Sequence, residues 1–174
     1  MVEFDLISLI ELGVLTVGVV IAVLEIRNIR ETRKTEVVLR FFDKWSTPEF
    51  NECFRHAAIE QSFESAEEWV KKYGARANPE AWNKQLAIVS VYDAAGYILK
   101  KGLADIKDIH NYAKPLGIIT LWEKFKPVFE YTRKRVNDPN HRKSFEYLYN
   151  ETKKKYPQVT RLGPRPVNDR VPVQ

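Results

Sequence analysis

The chain has little cysteine and little glycine. Cys53 is the one cysteine among 174 residues, which excludes an intrachain disulfide framework and fits a reducing compartment. Glycine occurs seven times, and the sequence contains no glycine-rich phosphate loop, no nucleophile elbow and no paired zinc-ligand motif. We therefore predict no catalytic residue, no metal site and no cofactor, and an enzyme would have to use dispersed residues.

Basic residues are absent from the first part of the chain. No lysine or arginine precedes Arg27, and the stretch from Leu6 to Leu24 is apolar apart from two hydroxyls and one carboxylate. At about 1.5 Å rise per residue this stretch reaches about 28 Å, close to the roughly 30 Å hydrocarbon core of a bilayer. It predicts a single transmembrane helix. An acidic start disfavours a signal peptide, and the lack of a polar face disfavours a core or interfacial helix.

The residues after this stretch determine the predicted orientation. Four basic residues follow it, namely Arg27, Arg30, Arg33 and Lys34. The positive-inside bias then places the N-terminus outside and the body in the cytoplasm. The same four residues are predicted to contact anionic lipid, with an ordinary solvated stripe as the alternative.

Three residues within the predicted span are candidates for contact with another helix. Glu11 is an ionisable group in an apolar segment, which by default marks a functional residue. The alternative is that Glu11 reaches the outer headgroups or is protonated. Gly18 and Ala22 form a small-xxx-small pair that would let another helix approach closely, although such pairs also arise by chance.

The remainder of the chain predicts a basic, all-α body. The formal net charge is +5, and because the first 24 residues carry three acids, the remainder carries +8. Helix-start signals recur and no stretch alternates like a set of strands. These signals are Thr47-Pro48-Glu49, Ser65-Ala66-Glu67-Glu68, Asn78-Pro79-Glu80, Asp105, Pro115 and Asp138-Pro139.

We therefore expect the transmembrane helix to continue into a cytoplasmic bundle of about five to six further helices. The expected divisions are an anchor over residues 1–25, a helical domain over 26–156 and an extended proline-rich tail over 157–174. The helix after Thr47 is expected to run to about Ser62. The helix after Pro115 is expected to kink at Pro127, and the last helix to begin at Asp138-Pro139.

Two polar clusters are candidates for chemistry. Cys53, His56 and Glu60 are ligand types at helical spacing, but a zinc site needs three or four ligands and no second pair is visible, so a buried thiol beside a surface histidine is the favoured reading. The second cluster is a patch for an anionic ligand, formed by Arg133, Lys134, Arg135, Arg142 and Lys143. Its alternative is a solvated face, because the interleaved Phe145 and Tyr149 fit the core stripe.

Two further segments carry a resemblance. Residues 92–105, YDAAGYILKKGLAD, and residues 122–127, WEKFKP, resemble a widespread family of uncharacterised helical proteins. Thr47-Pro48-Glu49 and Gly102-Leu103-Ala104 occupy the places of that family's helix restart and turn. The resemblance covers roughly residues 5–135 and implies an N-terminal membrane helix followed by a long helix. The family has no assigned activity, so it implies no catalytic residue.

The expected function is a non-enzymatic, membrane-anchored accessory or scaffold subunit. Its expected partners are the lipid bilayer and other proteins, in a membrane complex or a homo-oligomer. The alternative is a binder or sensor of anionic ligands, either lipid headgroups or nucleic acid, through the basic helices. Nucleic acid is the less favoured partner, because the aromatics beside the basic residues fit the core.

Overall fold

The computed structural model describes residues 6–160, without the side chains of residues 6–9, 37, 40, 41, 44 and 46. Over these residues the chain forms seven α-helices and no strand, which confirms the all-α prediction. The helices are α1 (Leu6–Phe42), α2 (Pro48–Arg55), α3 (Ala66–Tyr73), α4 (Pro79–Lys100), α5 (Ile106–Tyr112), α6 (Pro115–Val136) and α7 (Lys143–Lys155).

The predicted transmembrane span is wrong for the described part of the chain. No helix there has the length and apolarity that crossing a membrane requires. The physical reason is the spacing of charge in α1, since its longest uncharged run is the 13 residues Leu12–Leu24 between Glu11 and Glu25. At about 1.5 Å per residue they cover roughly 20 Å, well short of a bilayer core of about 30 Å. The predicted single-pass localisation, with the N-terminus outside and the body in the cytoplasm, depended on that span and is contradicted with it.

The chain divides into two units, Met1–Arg40 and Phe41–Gln174. The first unit consists, where it is described, of α1 up to residue 40. The second contains α2 to α7 and the aromatic core. Residues 161–174 of the predicted proline-rich tail lie outside the described residues.

A π-helix follows α2 directly. Thr47 caps α2 by accepting a hydrogen bond from the Phe50 amide at 3.2 Å, and Pro48 is its first residue, as the sequence predicts. The helix was expected to continue as an α-helix to about Ser62, but it widens into a π-helix over His56–Glu60 and ends there. The wider turn brings Arg55 and Glu60, five residues apart, to 2.5 Å between Nη1 and Oε1.

The next two helices begin at the predicted caps. The Ser65 hydroxyl accepts from the Glu68 amide at 3.1 Å, and the Asn78 side chain accepts from the Ala81 amide at 3.0 Å. The turn after α4 contains Gly102 at φ +65°, a left-handed conformation that glycine adopts without strain.

Helix α6 is the most buried helix of the body. Nine of its residues are buried, and the helix continues through Pro127, which lies on the exposed face. The predicted kink at this proline stays a prediction. The last helix, α7, begins at Lys143 and not at Asp138-Pro139, because the chain first makes a turn in which Asn137 and Arg142 both have positive φ.

Aromatic side chains link the helices of the body. Trp122 of α6 lies edge-on to Phe145 of α7, with ring centroids 5.2 Å apart, and Tyr92 of α4 stacks on Phe145 at 5.3 Å. Helix α4 also approaches α7 through Gly96, where a Cβ would lie 1.8 Å from the Ser144 carbonyl oxygen. Close packing at this contact therefore requires the absence of a side chain.

Candidate functional site

Between Glu11 and Glu25, helix α1 presents apolar side chains in every direction. All side chains described from Ile10 to Arg33 are exposed. Thirteen large aliphatic residues between Ile10 and Leu39 are each more than half exposed, from 51% at Val23 to 69% at Val14. Exposed apolar surface of this extent is typical of interaction sites. We call the uncharged segment Leu12–Leu24 the apolar segment.

The apolar segment contains few groups that need water. Its one hydroxyl, on Thr16, donates to the Leu12 carbonyl at 2.7 Å and is therefore satisfied within the helix. Gly18 and Ala22, predicted to contact another helix, are exposed one turn apart, and a Cβ on Gly18 would meet nothing within 4 Å. Glu11 is also exposed and lies just outside the segment's N-terminal end.

The four basic residues after the apolar segment lie on α1. Arg27, Arg30 and Arg33 are exposed, and Lys34 pairs with Glu31 at 3.4 Å. Such an exposed pair contributes little to stability. Their predicted contact with anionic lipid stays a prediction.

The structure brings three of the five predicted patch residues into one groove between the end of α6 and the start of α7. The groove has a volume of about 590 Å³. We call it the basic groove, and its lining residues are Glu130, Arg133, Lys134, Asn137, Pro139 and Lys143.

The three cationic side chains of the basic groove differ in their hydrogen bonds and ion pairs. The Arg133 guanidinium donates through Nε to the His141 carbonyl and through Nη2 to Glu146, both at 2.8 Å. Lys143 also contacts Glu146 at 2.8 Å. Partial burial opposes ionisation of Glu146, but the hydrogen bonds from Lys143 and Arg133 outweigh it and lower the pKa of this carboxyl. Lys134 is exposed, and no ion pair to it occurs among the described residues.

The other two patch residues lie elsewhere. Arg142 points toward α4, where its Nη1 lies 3.3 Å from the Ser90 hydroxyl and 3.8 Å from the Asp93 carboxylate. Arg135 is exposed and does not line the groove. The predicted patch is thus divided between a groove and a contact that joins two helices.

Of the cluster of Cys53, His56 and Glu60, the structure pairs the last two, whereas Cys53 is a half-buried free thiol. The His56 Nδ1 lies 2.9 Å from Glu60 Oε2, and the other Glu60 oxygen accepts from Arg55. The hydrogen bond from His56, with the nearby Arg55 charge, lowers the pKa of Glu60. No group of three metal-ligand side chains occurs among the residues that the structure describes.

Sequence reasoning missed two polar residues that organise the body. The buried Lys124 ammonium donates to the carbonyl oxygens of Ala57, Ala58 and Gln61, at 2.7, 3.0 and 2.5 Å, and so satisfies the end of the π-helix. Lys124 lies three residues after Leu121, on the apolar face of α6. A lysine on an apolar face was the sequence signal that it is buried. Asp93 of α4 accepts from the Phe145 amide at 2.9 Å and caps α7 from another helix, which no local pattern reveals.

Comparison with known proteins identifies a family. The model of a family described as a domain of unknown function, DUF4760, matches residues 12–152. This match confirms the resemblance to a family of uncharacterised helical proteins, whereas it does not confirm the membrane helix that the resemblance implied. No curated protein and no solved structure matches the chain significantly.

Proposed function

The chain belongs to the DUF4760 family, and we propose that it is a non-enzymatic accessory or scaffold subunit that binds other proteins through the apolar segment of α1. The supporting observation is the exposure of that segment, in which every residue from Leu12 to Leu24 is exposed. A helix that is apolar on all sides is normally covered by other apolar elements. In this proposal the covering elements belong to partner chains.

The exposed area indicates what kind of partner would bind. Full burial of a valine, leucine or isoleucine contributes roughly 1.5–3 kcal/mol, so covering one side of α1 yields on the order of 5–10 kcal/mol. Association itself costs about 4–15 kcal/mol. One helix on one side therefore leaves little net free energy. A partner that packs several apolar helices around the apolar segment gains enough, and the open space at Gly18 allows one of them to approach closely.

Site-specific photo-cross-linking in cells tests this proposal. A photoreactive residue at Val17, in the apolar segment, is compared with one at Ile59, an equally apolar and 65% exposed residue of the body. We expect defined protein adducts from position 17 that are absent from position 59. Mass spectrometry identifies the cross-linked chains, and reciprocal purification through each identified chain must recover this protein.

A matched pair of substitutions checks that apolar contact causes the association. Leu15→Glu places a carboxylate in the apolar segment, and because burying an unpaired charge is costly, recovery of the partner should fall more than tenfold. Ile59→Glu makes the same change on the body and should leave recovery unchanged. Equal losses in both variants, or protein adducts that persist in Leu15→Glu, contradict the proposal. Flotation of the purified chain with phospholipid vesicles in the absence of any protein partner also contradicts it.

A further inference from the structure

The basic groove is a second candidate for binding, separate from α1. Three of its six lining residues are cations and one, Glu130, is an acid. Glu130 lies 3.8 Å from Lys126, which lies outside the groove lining and partly offsets its charge. Glu146, behind the lining, is bonded by two of the groove cations. The groove therefore carries net positive charge. We propose that the basic groove binds a phosphate group carried by a small soluble molecule.

Arg133 supplies a preorganised part of such a site. Its side chain is 15% exposed and is held by the His141 carbonyl and the Glu146 carboxylate. These two bonds use two of the five N–H groups of a guanidinium. Because the side chain is already ordered, binding an anion costs less conformational entropy than it would at a mobile arginine.

Lys134 and Lys143 supply adjustable charge. Lys143 is 49% exposed, and its ammonium has three donors, of which the structure assigns one contact to Glu146. Lys134 follows Arg133 directly and is exposed, with no ion pair among the described residues. An incoming phosphate would therefore gain the charge of Lys134 without breaking an existing ion pair.

The size and surroundings of the groove favour a small molecule over a polynucleotide. The groove is open to solvent, and its volume of about 590 Å³ lies within the range of small-molecule sites, about 300–1,000 Å³. Single-stranded nucleic acid is usually held by stacking on exposed aromatics. Two of the nearby aromatics are not available for stacking, because Phe145 is fully buried and Tyr149 stacks on Trp122 while donating to Glu123.

Calorimetric titration of the full chain with pyrophosphate and with ATP, at low salt, tests the inference. We expect saturable binding of both, and Lys134→Gln should weaken it about two- to fivefold, as expected for one exposed charge contact. Lys143→Gln should have an effect of similar size. Lys100→Gln removes the same charge from an exposed position in the last turn of α4 and should leave binding unchanged.

Several outcomes would overturn the inference. Absence of saturable binding refutes it, and so does an equal loss in Lys100→Gln, which would show a general response to net charge. Binding only to vesicles that contain phosphatidic acid assigns the phosphate to a lipid surface and refutes a soluble ligand. Binding only to single-stranded RNA refutes it as well. Absent binding, an equal loss in Lys100→Gln and RNA binding leave the apolar segment untested. Vesicle binding that Lys134→Gln weakens concerns the groove alone, whereas vesicle binding that Leu15→Glu abolishes concerns the apolar segment, so this inference and the proposed function can fail independently.

Discussion

The buried histidine of α5 makes the stability of the body depend on pH. His110 is 7% exposed, and its Nε2 lies 3.1 Å from the Thr152 hydroxyl. That hydroxyl donates to the Leu148 carbonyl at 2.8 Å, so it must accept from an Nε2–H group of His110. The Nδ1 atom is buried without a hydrogen-bond partner among the described residues. This arrangement stabilises the neutral ring. It provides no hydrogen-bond acceptor for the second N–H group of the charged ring.

The size of the effect follows from the pKa of His110. Burial, together with the nearby charge of Lys155, lowers this pKa from 6.5 to about 4. Well above pH 6.5 the ring is neutral in both states and contributes no pH dependence. Between pH 6.5 and about 4 the unfolded chain binds a proton that the folded chain does not, so the free energy of unfolding falls as pH falls. One pKa unit corresponds to about 1.4 kcal/mol, so the total loss is about 3 kcal/mol.

Urea unfolding at pH 7, 6, 5 and 4.5 measures this loss. The comparison variant is His110→Gln, because the glutamine amide can donate to Thr152 in place of Nε2 and does not titrate. Other titrating groups, including His141, are present in both proteins and cancel in the difference. We expect the difference in unfolding free energy between the parent and His110→Gln to change by roughly 2–3 kcal/mol in favour of the variant between pH 7 and pH 4.5. Parallel curves for the two proteins would refute the assignment of His110 as a buried neutral group.

Two further predictions concern contacts within the body. Lys124→Met leaves the three carbonyl oxygens at the end of the π-helix without their donor, so the free energy of unfolding should fall by roughly 3–5 kcal/mol in chemical denaturation. Lys126→Met, at an exposed position on the same helix, should change this free energy little. Equal effects of the two substitutions would argue against the role of Lys124. Gly96→Ala places a Cβ against the Ser144 carbonyl oxygen and should cost roughly 1–3 kcal/mol and lower the melting temperature. Gly13→Ala, where a Cβ meets nothing within 4 Å, is its control, and an unchanged melting temperature in Gly96→Ala would contradict the close approach of α4 and α7.

The sequence predicted those features of the fold that depend on neighbours within four residues. Thr47, Ser65 and Asn78 each cap the helix that follows, and in each the side chain accepts from an amide three residues later. Such a bond requires only the right residue at the right spacing. The starts of α2, α3 and α4 were therefore readable without knowledge of the tertiary structure.

Features that depend on residues distant in the sequence could not be predicted from local patterns. Asp138-Pro139 has the composition of a helix start, but α7 begins at Lys143, where Asp93 from α4 accepts the Phe145 amide across 52 positions of sequence. The end of the π-helix depends in the same way on Lys124, more than 60 positions away. The predicted basic patch was divided for a related reason, because the turn before α7 directs Arg142 toward α4 while Arg133 and Lys143 remain in the groove.

In helix α1 the total length of the helix differs from the length of its longest uncharged run, and a hydropathy argument can confuse the two. The helix has 37 residues, but Glu11 and Glu25 limit its longest uncharged run to 13. A heptad pattern would have confined the apolar residues to one seam and predicted a single partner helix. Here the apolar side chains are exposed on all sides of the apolar segment. In the proposed association a partner surrounds α1 over about 20 Å, and a charge placed on any side of that segment should weaken binding. A Leu15→Glu effect that is not reproduced by Val17→Glu, on another side of the helix, would restrict the contact to one face.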